Sequence, residues 1–342
     1  MKDTQRLLIG ILLFGLIGVL FVLFWPRQYA PAERVQKQEV AYWDLPTGSR
    51  IAYTHLPATA ELEQPYPIVY LHGGPGGAIT ARVMAELATL TQEGFALYFY
   101  DQLGSGRSNR LADISGYTVQ RHVADLHAIV EQLQAEKVIL IGQSWGAILA
   151  SAFVAQHPER VHRIVFTSPG PLYPLNPAAL ELPAPDSLQL RAPVYTNRQA
   201  NTDMRNLRMQ LVSWLARHLG VKLAADHEVD AFADALDQKT YKSALCDTSI
   251  QLPNRGGSGY YAGIMTYNSL QQLPDFRAEL KGLNMPVLVM KGSCDNQPWG
   301  ATAEYLQLFQ NHQFVWVPNA GHFIGVEQPE MYVEAIRQFL LR

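Results

Sequence analysis

The sequence predicts an α/β fold in which helices flank a mostly parallel central sheet, with an inserted helical cap and an N-terminal transmembrane helix. Three observations lead to this prediction. Short apolar runs alternate with stretches of helical spacing, as in parallel sheets covered by helices. The interval 171–282 interrupts that alternation with proline-rich and helical sequence. The chain also carries a long apolar run close to its N-terminus.

The composition indicates a folded protein and gives no sign of a nucleic-acid partner. Of the 342 residues, 48% are hydrophobic and 17% are charged, so the chain can bury a large core. The net charge of −3 provides no basic surface for nucleic acid. Cys246 and Cys294 can form at most one disulfide, and their spacing leaves open whether they pair. No cysteine or histidine motif predicts a metal site.

The apolar run 7–25 predicts a transmembrane helix. It contains no charged side chain, and a helix of about 19 residues rises about 28 Å, close to the hydrocarbon thickness of a bilayer. Trp25 and Tyr29 would lie at the level of the lipid headgroups, where amphipathic aromatic rings are favoured. We therefore expect residues 1–26 to form a cytoplasmic tail and signal anchor, followed by a tether over 27–40.

A cleaved signal peptide is the alternative to an anchor, because Lys2 and Arg6 form a basic N-terminal segment and residues 30–32 resemble a cleavage site. However, the apolar run is longer than the roughly 7–15 residues of a signal peptide core. Pro31 also disfavours cleavage. The short basic tail favours an exported position for the rest of the chain, although basic residues also follow the span.

The apolar runs predict one core that the cap divides in two. The predicted strands are 68–72, 96–100, 138–141, 161–167, 286–290 and 314–317. We expect 41–170 and 283–342 to form this core, because strands of the same type resume after the interruption. The cap, 171–282, shows helical spacing at 204–219 and 229–236.

A Gly-x-Ser-x-Gly sequence at 142–146 lies between a predicted strand and a predicted helix. In that context the two glycines permit a tight turn that exposes the serine hydroxyl at the end of the strand. The start of the helix also favours negative charge that develops beside it. The sequence therefore predicts Ser144 as a nucleophile, and the alternative is a glycine-rich turn with no chemical role.

A serine nucleophile needs a base, usually a histidine that a carboxylate orients. Asp295 and His322 each follow a predicted strand, so both should lie at the same edge of the sheet as Ser144. Their order along the chain is also one that serine hydrolases use. We therefore predict Ser144, Asp295 and His322 as the catalytic residues.

The glycine-rich loop 72–77 follows the first core strand and can stabilise an oxyanion. Backbone N–H groups of Gly74 and of Trp145, the residue after the nucleophile, are the predicted donors. A nucleotide-binding loop is the alternative, but the loop lacks both the G-x-G-x-x-G spacing and a Walker lysine.

Three motifs together resemble the proline iminopeptidase branch of the α/β-hydrolases. They are His-Gly-Gly-Pro-Gly-Gly at 72–77, Asp-Gln-Leu-Gly-Ser-Gly-Arg-Ser at 101–108 and Gly-Gln-Ser-Trp-Gly at 142–146. The resemblance extends over about 41–168 and 283–342. It implies the α/β-hydrolase fold and a serine hydrolase that needs no cofactor. It also implies the same three catalytic residues and the same two oxyanion donors.

The sequence departs from this branch in the cap, where members carry glutamates that hold the free amino group of the substrate. No acidic residue follows Trp214, and the matching segment 259–263 contains none. The acids that could replace them are Asp226, Glu228 and Asp230, although an acidic cluster on a helix is more often a solvated face. We therefore expect neutral aryl esters to be cleaved readily and a free amino terminus to bring little advantage.

Aromatic residues predict an apolar pocket instead. They are Trp145, Trp214, Tyr260, Tyr261, Tyr267 and Trp299. From these and the cap acids, Trp214, Tyr260 and Glu228 are the candidate substrate-binding residues.

The sequence thus predicts a membrane-anchored serine hydrolase that cleaves an amide or ester of a small molecule or peptide through an acyl-enzyme. A carboxylesterase without aminopeptidase activity is the alternative within that mechanism. A catalytically inactive binding protein on the same fold is less favoured, because all three catalytic residues are present. Epoxide hydrolases and haloalkane dehalogenases would need a carboxylate at position 144.

Overall fold

A central sheet of eight strands organises the chain in the computed structural model, which describes residues 2–29, 40–192, 195–252 and 256–342. The strands are β1 (Ala41–Asp44), β2 (Arg50–Leu56), β3 (Ile68–Leu71), β4 (Leu97–Tyr100), β5 (Val138–Gln143), β6 (Val161–Thr167), β7 (Val287–Gly292) and β8 (His312–Val317). Their order across the sheet is β1-β2-β4-β3-β5-β6-β7-β8. The pairs β1–β2 and β2–β4 are antiparallel, and all other neighbours are parallel.

Helices cover both faces of this sheet. The helices of the described residues, which include those outside the sheet layers, are α1 (Lys2–Phe24), α2 (Ala81–Leu87), α3 (Val119–Gln132), α4 (Trp145–Gln156), α5 (Pro177–Leu180), α6 (Asn197–Asp203), α7 (Leu207–Leu219), α8 (Asp226–Thr240), α9 (Tyr260–Ser269), α10 (Arg277–Lys281), α11 (Trp299–Leu308), α12 (Ile324–Glu327) and α13 (Pro329–Leu340). Alternate residues of a strand point to opposite faces. Accordingly, Val69 and Leu71 of β3 pack with α3 and α4, whereas Ile68 and Tyr70 pack with α2 and α13.

The structure confirms the predicted mostly parallel sheet and its apolar core strands. It adds the antiparallel strands β1 and β2, which the sequence analysis did not identify. Strand β1 lies at the edge of the sheet with β2 beside it, and both contain exposed residues, so they lack the continuous apolar run of a central parallel strand.

Helices α5 to α10 lie between β6 and β7 and are called the cap below. The predicted helical stretches 204–219 and 229–236 correspond to α7 and α8. Helix α1 contains the window Gln5–Phe24, which has a mean hydropathy of 3.1 and is long enough to cross a membrane. The last turn of α1 contacts α7. Most of the predicted tether, including Arg34 and Lys37, lies outside the described residues.

Cys246 and Cys294 form a disulfide, which answers the question that the sequence left open. Cys246 lies in the cap, after α8, and Cys294 follows β7. The bridge therefore ties the cap to the loop that carries Asp295.

We expect replacement of both cysteines by serine to lower the free energy of unfolding by about 4 kcal/mol, because the unfolded chain loses a crosslink between distant positions. The two cysteines are 48 positions apart. Denaturant unfolding in detergent micelles measures the loss. Cys246→Ser and Cys294→Ser alone should each cost as much as the double change. Two reactive thiols in the unreduced, denatured protein would contradict the pairing.

Candidate active site

Ser144 lies on the tight turn between β5 and α4, with a backbone φ of 56° and ψ of −113°. Non-glycine residues rarely adopt this conformation, so the fold holds the serine under strain. The neighbouring glycines make the turn possible. A Cβ on Gly142 would lie 2.5 Å from the Gly146 oxygen, and one on Gly146 would lie 2.0 Å from the Leu71 oxygen. Ser144 also precedes the first turn of α4, where the helix dipole favours negative charge.

Ser144 and His322 line the same cavity, which has a volume of about 370 Å³. His322 follows β8, and its Nδ1 lies 2.8 Å from Oδ1 of Asp295, which follows β7. A carboxylate accepts hydrogen bonds, so Nδ1 carries the proton and Nε2 is the basic atom of the ring. The fold thus brings together the three residues that the sequence predicts as catalytic.

Lys291, at the end of β7, is a buried partner of Asp295 that the sequence analysis missed. Its Nζ donates to Asp295 Oδ2 at 3.0 Å and to the Gln297 carbonyl at 2.9 Å. Only 1% of the Lys291 side chain is exposed. Burial opposes ionisation of Asp295, but the charge of Lys291 and the hydrogen-bonded His322 lower the pKa of Asp295 to about 2. The sequence contained one signal for this partner, because β7 carries a single lysine in an otherwise apolar strand.

The loop that carries His322 is attached to the cap. The His322 backbone N–H donates to the Ala244 carbonyl at 2.7 Å. The carboxylate of Glu327 accepts the backbone N–H of Gly321 at 2.6 Å and that of Cys246 at 3.1 Å. The Glu327 side chain therefore joins the cap, at Cys246, to Gly321, the residue before the predicted base.

The glycine loop after β3 packs against the Ser144 turn. A Cβ on Gly73 would lie 3.2 Å from Ser144 Cβ and 2.2 Å from Gln143 Oε1, so only glycine fits there. Gly74, with a φ of 134°, lines the same cavity as Ser144. Gly74, the residue of one predicted oxyanion donor, therefore lines the cavity, and Trp145, the residue of the other, directly follows Ser144 in the chain.

Gln102, from the motif at 101–108, connects the glycine loop to the nucleophile turn. Its side chain donates to the His72 carbonyl at 3.0 Å and accepts the Trp145 indole N–H at 2.7 Å. Its backbone N–H donates to His72 Nε2, so Nδ1 carries the proton and donates to the Gly73 carbonyl at 2.8 Å. Burial lowers the pKa of His72, which therefore stays neutral. No sequence motif indicated this role of Gln102.

The three candidate substrate-binding residues lie away from the cavity, which corrects the prediction. Trp214 is exposed on α7, and Tyr260 packs edge-on against Phe232. Glu228 is buried and accepts hydrogen bonds from Arg208 at 2.6 and 2.7 Å. The prediction failed because helical spacing does not tell which face of a cap helix meets the core.

The predicted aromatic pocket is also wrong. Trp145, Trp214, Tyr260, Tyr261, Tyr267 and Trp299 all lie outside the lining of the cavity. The Trp145 ring, for example, is buried in the core. The aromatic residues that do line the cavity are Tyr70, Tyr241, Phe323 and Tyr332.

The acidic cluster at the start of α8 is structural rather than a solvated face. Besides the Glu228–Arg208 pair, Asp226 accepts from Lys222 at 2.7 Å, and Asp230 lies 3.0 Å from Arg110. These ion pairs hold α8 to its neighbours. The three acids proposed as replacements for the missing glutamates are therefore already paired.

Two acids that the sequence analysis missed line the cavity. Asp237, in the last turns of α8, accepts a hydrogen bond from Ser258 Oγ at 2.7 Å. Glu86, on α2, lines the cavity from the core side. A signal for Asp237 existed, because Asp226, Asp230 and Asp237 recur at near-helical spacing along α8.

Comparison with known proteins identifies the family. Residues 66–329 match the α/β hydrolase fold family. A proline iminopeptidase from Heyndrickxia coagulans is 26% identical over 284 residues, which cover 80% of this chain and 90% of the relative. Another, from Saccharolobus solfataricus, is 34% identical over 285 residues, which cover 80% and 84%. The chain therefore belongs to the α/β-hydrolase fold family and is a hydrolase of its proline iminopeptidase-like branch.

A solved structure agrees with this fold. An esterase from Exiguobacterium antarcticum superposes with a TM-score of 0.58 over 89% of this chain and 100% of the esterase, at 16% identity. At that identity the likeness describes the fold alone.

We expect Lys291→Met to move the acid limb of kcat/KM to higher pH. Without the lysine charge, burial raises the pKa of Asp295, and the Asp295–His322 pair takes up a proton at higher pH. Activity needs the deprotonated pair, so the variant loses activity where the natural protein still retains it. The pH dependence of kcat/KM for a neutral ester measures the shift.

Arg277→Met is the matched control for this change. Arg277 lies 2.8 Å from the buried Glu304, and neither residue lines the cavity. Its loss removes a cation from a buried carboxylate and should leave the acid limb in place. An unchanged acid limb in folded Lys291→Met protein would show that the lysine has only a packing role.

Proposed function

We propose that this chain is a membrane-anchored serine hydrolase that cleaves an amide or ester bond through an acyl-enzyme. One observation carries the proposal: Ser144 and His322 share a cavity, and the imidazole is hydrogen-bonded to the buried Asp295. A serine on a strained strand–helix turn beside such a pair is the arrangement that acyl transfer requires. The relatives named proline iminopeptidase are consistent with this chemistry.

In the proposed mechanism, His322 Nε2 removes the hydroxyl proton as Ser144 Oγ attacks the substrate carbonyl. Asp295 stabilises the imidazolium through the Nδ1–H bond. The N–H groups of Gly74 and Trp145 donate to the oxyanion. The imidazolium then gives its proton to the departing amine or alcohol, which leaves the acyl-enzyme. Water, deprotonated by the same histidine, attacks the acyl group, releases the acid and restores the serine.

We expect Ser144→Ala to lower turnover by roughly 10⁶-fold, because the three residues act as a unit. The variant should also lose labelling by a fluorophosphonate probe. Ser151→Ala is the control, since Ser151 lies on the same helix, bonds to the Ala147 carbonyl at 2.9 Å and does not line the cavity. Near-normal turnover by folded Ser144→Ala protein would exclude the mechanism. A natural protein that the probe does not label would favour the inactive binding protein.

Aminopeptidase specificity is the second proposal, and the acids of the cavity favour it. A protonated amine is costly to bury unless a carboxylate meets it. Asp237, which accepts from Ser258, and Glu86, which lies 3.9 Å from Arg82, are two carboxylates that line the cavity containing Ser144. Motif matching led to the opposite expectation, because Asp237 comes from a position of the cap that matches neither family glutamate. A carboxylesterase without this preference remains the alternative.

We expect a proline arylamide with a free amine to exceed its N-acetyl counterpart in kcat/KM by about 10²-fold, or about 2.7 kcal/mol. Asp237→Asn should reduce this ratio and leave the N-acetyl substrate unaffected. Asp226→Asn is the control, because Asp226 pairs with Lys222 outside the cavity. Equal kcat/KM values for the two substrates in the natural protein would support the carboxylesterase.

The membrane anchor is proposed from α1. Its 20-residue window Gln5–Phe24 is apolar except for Gln5 and Arg6 and is not buried inside the protein, as expected of a helix in contact with lipid. The disulfide between Cys246 and Cys294 is typical of an oxidising compartment, which supports a catalytic domain on the exported side. The expected result is that detergent, and not alkaline carbonate, releases the full-length protein from membranes. Release by carbonate would exclude a transmembrane helix.

A further inference from the structure

The end of α1 is attached to the start of α7. Arg208 Nη1 donates to the Leu23 carbonyl at 2.8 Å, and the Arg27 backbone N–H donates to Glu228 Oε1 at 2.9 Å. Arg208 and Glu228 also form an ion pair whose two side chains are each only 3% exposed. Breaking such a buried pair is costly, so these contacts hold the first turn of α7 beside the last turn of α1.

This attachment sets the depth of α7 in a membrane. The apolar window of α1 ends at Phe24, and Trp25 follows it. When α1 spans a bilayer, the boundary between hydrocarbon and headgroups therefore lies at these residues. Arg208 contacts the residue just before that boundary. The first turn of α7 must then lie at the level of the headgroups.

The outward face of α7 exposes three large apolar side chains, together with Gln210, Arg217 and His218. Leu207, Trp214 and Leu219 expose 60%, 53% and 60% of their surface, whereas Met209 and Val212 are buried against the cap. Leu207 and Trp214 lie two helical turns apart and therefore project from the same side. The outward face of a helix on a water-soluble domain is normally polar.

Cationic residues flank these exposed apolar side chains. Arg205 precedes α7 and Arg217 lies in its last turn, and both are exposed. Long arginine side chains can extend to phosphates while their stems cover apolar surface. Apolar side chains such as Leu207 and Trp214 on one side of a helix, with arginines beside them, are typical of helices that lie in the plane of a bilayer interface.

We propose that the outer face of α7 binds the phospholipid surface of the same bilayer that α1 spans. This inference rests on the membrane anchor of the proposed function. Leu207 and Trp214 insert among the headgroups, and the arginines contact lipid phosphates. The catalytic body then has two attachments to the membrane, α1 and α7, which together fix its orientation over the bilayer.

Nitroxide labels on the full chain, reconstituted in vesicles of phosphatidylcholine and phosphatidylglycerol, test this surface. Leu207→Cys and Trp214→Cys each introduce a single reactive thiol, because the natural cysteines are joined. Glu330→Cys is the matched control, since α13 packs on the opposite face of the sheet from the cap. Fluorophosphonate labelling verifies that each variant is folded.

We expect oxygen to broaden the spectra at positions 207 and 214 and a water-soluble nickel chelate to have little effect there. Position 330 should show the reverse. Nickel broadening at 207 and 214 in protein that resists carbonate would overturn the α7 surface and leave the anchor standing. Release of the chain by carbonate would overturn both.

Two further outcomes would also overturn the proposal. Immersion at position 207 without immersion at 214 would mean that only the end of α1 meets lipid. Spin–spin broadening between labels on different molecules would mean that a second copy of the chain, rather than lipid, covers α7.

Discussion

Close backbone packing at the Ser144 turn is the constraint on which the rest of the site depends. Gly146 lies against the Leu71 carbonyl, and Gly142 against the Gly146 carbonyl, at distances that leave no room for a Cβ. This packing locks α4 onto β3 and β5 and forces Ser144 into a conformation that side chains rarely adopt. Because β5, β7 and β8 run parallel, their carboxyl ends meet at one edge, and the residues that follow them converge there.

The buried charges behind His322 follow from this convergence. A carboxylate next to the core must be compensated, and Asp295 is compensated twice, by Lys291 through one oxygen and by the imidazole through the other. The cap is joined to the same loops through Cys246, whose backbone N–H donates to Glu327 and whose sulfur is bonded to Cys294. The cap is therefore part of the framework that positions the base, as well as one wall of the cavity.

Helix α8 divides its acids between structure and the cavity. Its first turns hold Asp226, Glu228 and Asp230 in ion pairs, one of which also receives the end of α1. In its last turns, Asp237 lines the cavity. A single helix thus connects the proposed membrane attachment to the proposed site of amine recognition, and its two ends use carboxylates in different ways.

The sequence by itself determined the fold class, the core strands, the apolar span and the three residues proposed to carry catalysis. Those features are local: a strand is a short apolar run, and a nucleophile turn is two glycines around a serine. Tertiary structure alone decided that Cys246 meets Cys294, that Lys291 faces Asp295, and that Asp237 rather than Glu228 lines the cavity. Each of these depends on which faces of distant elements pack together, and helical or strand periodicity specifies a face without specifying its partner.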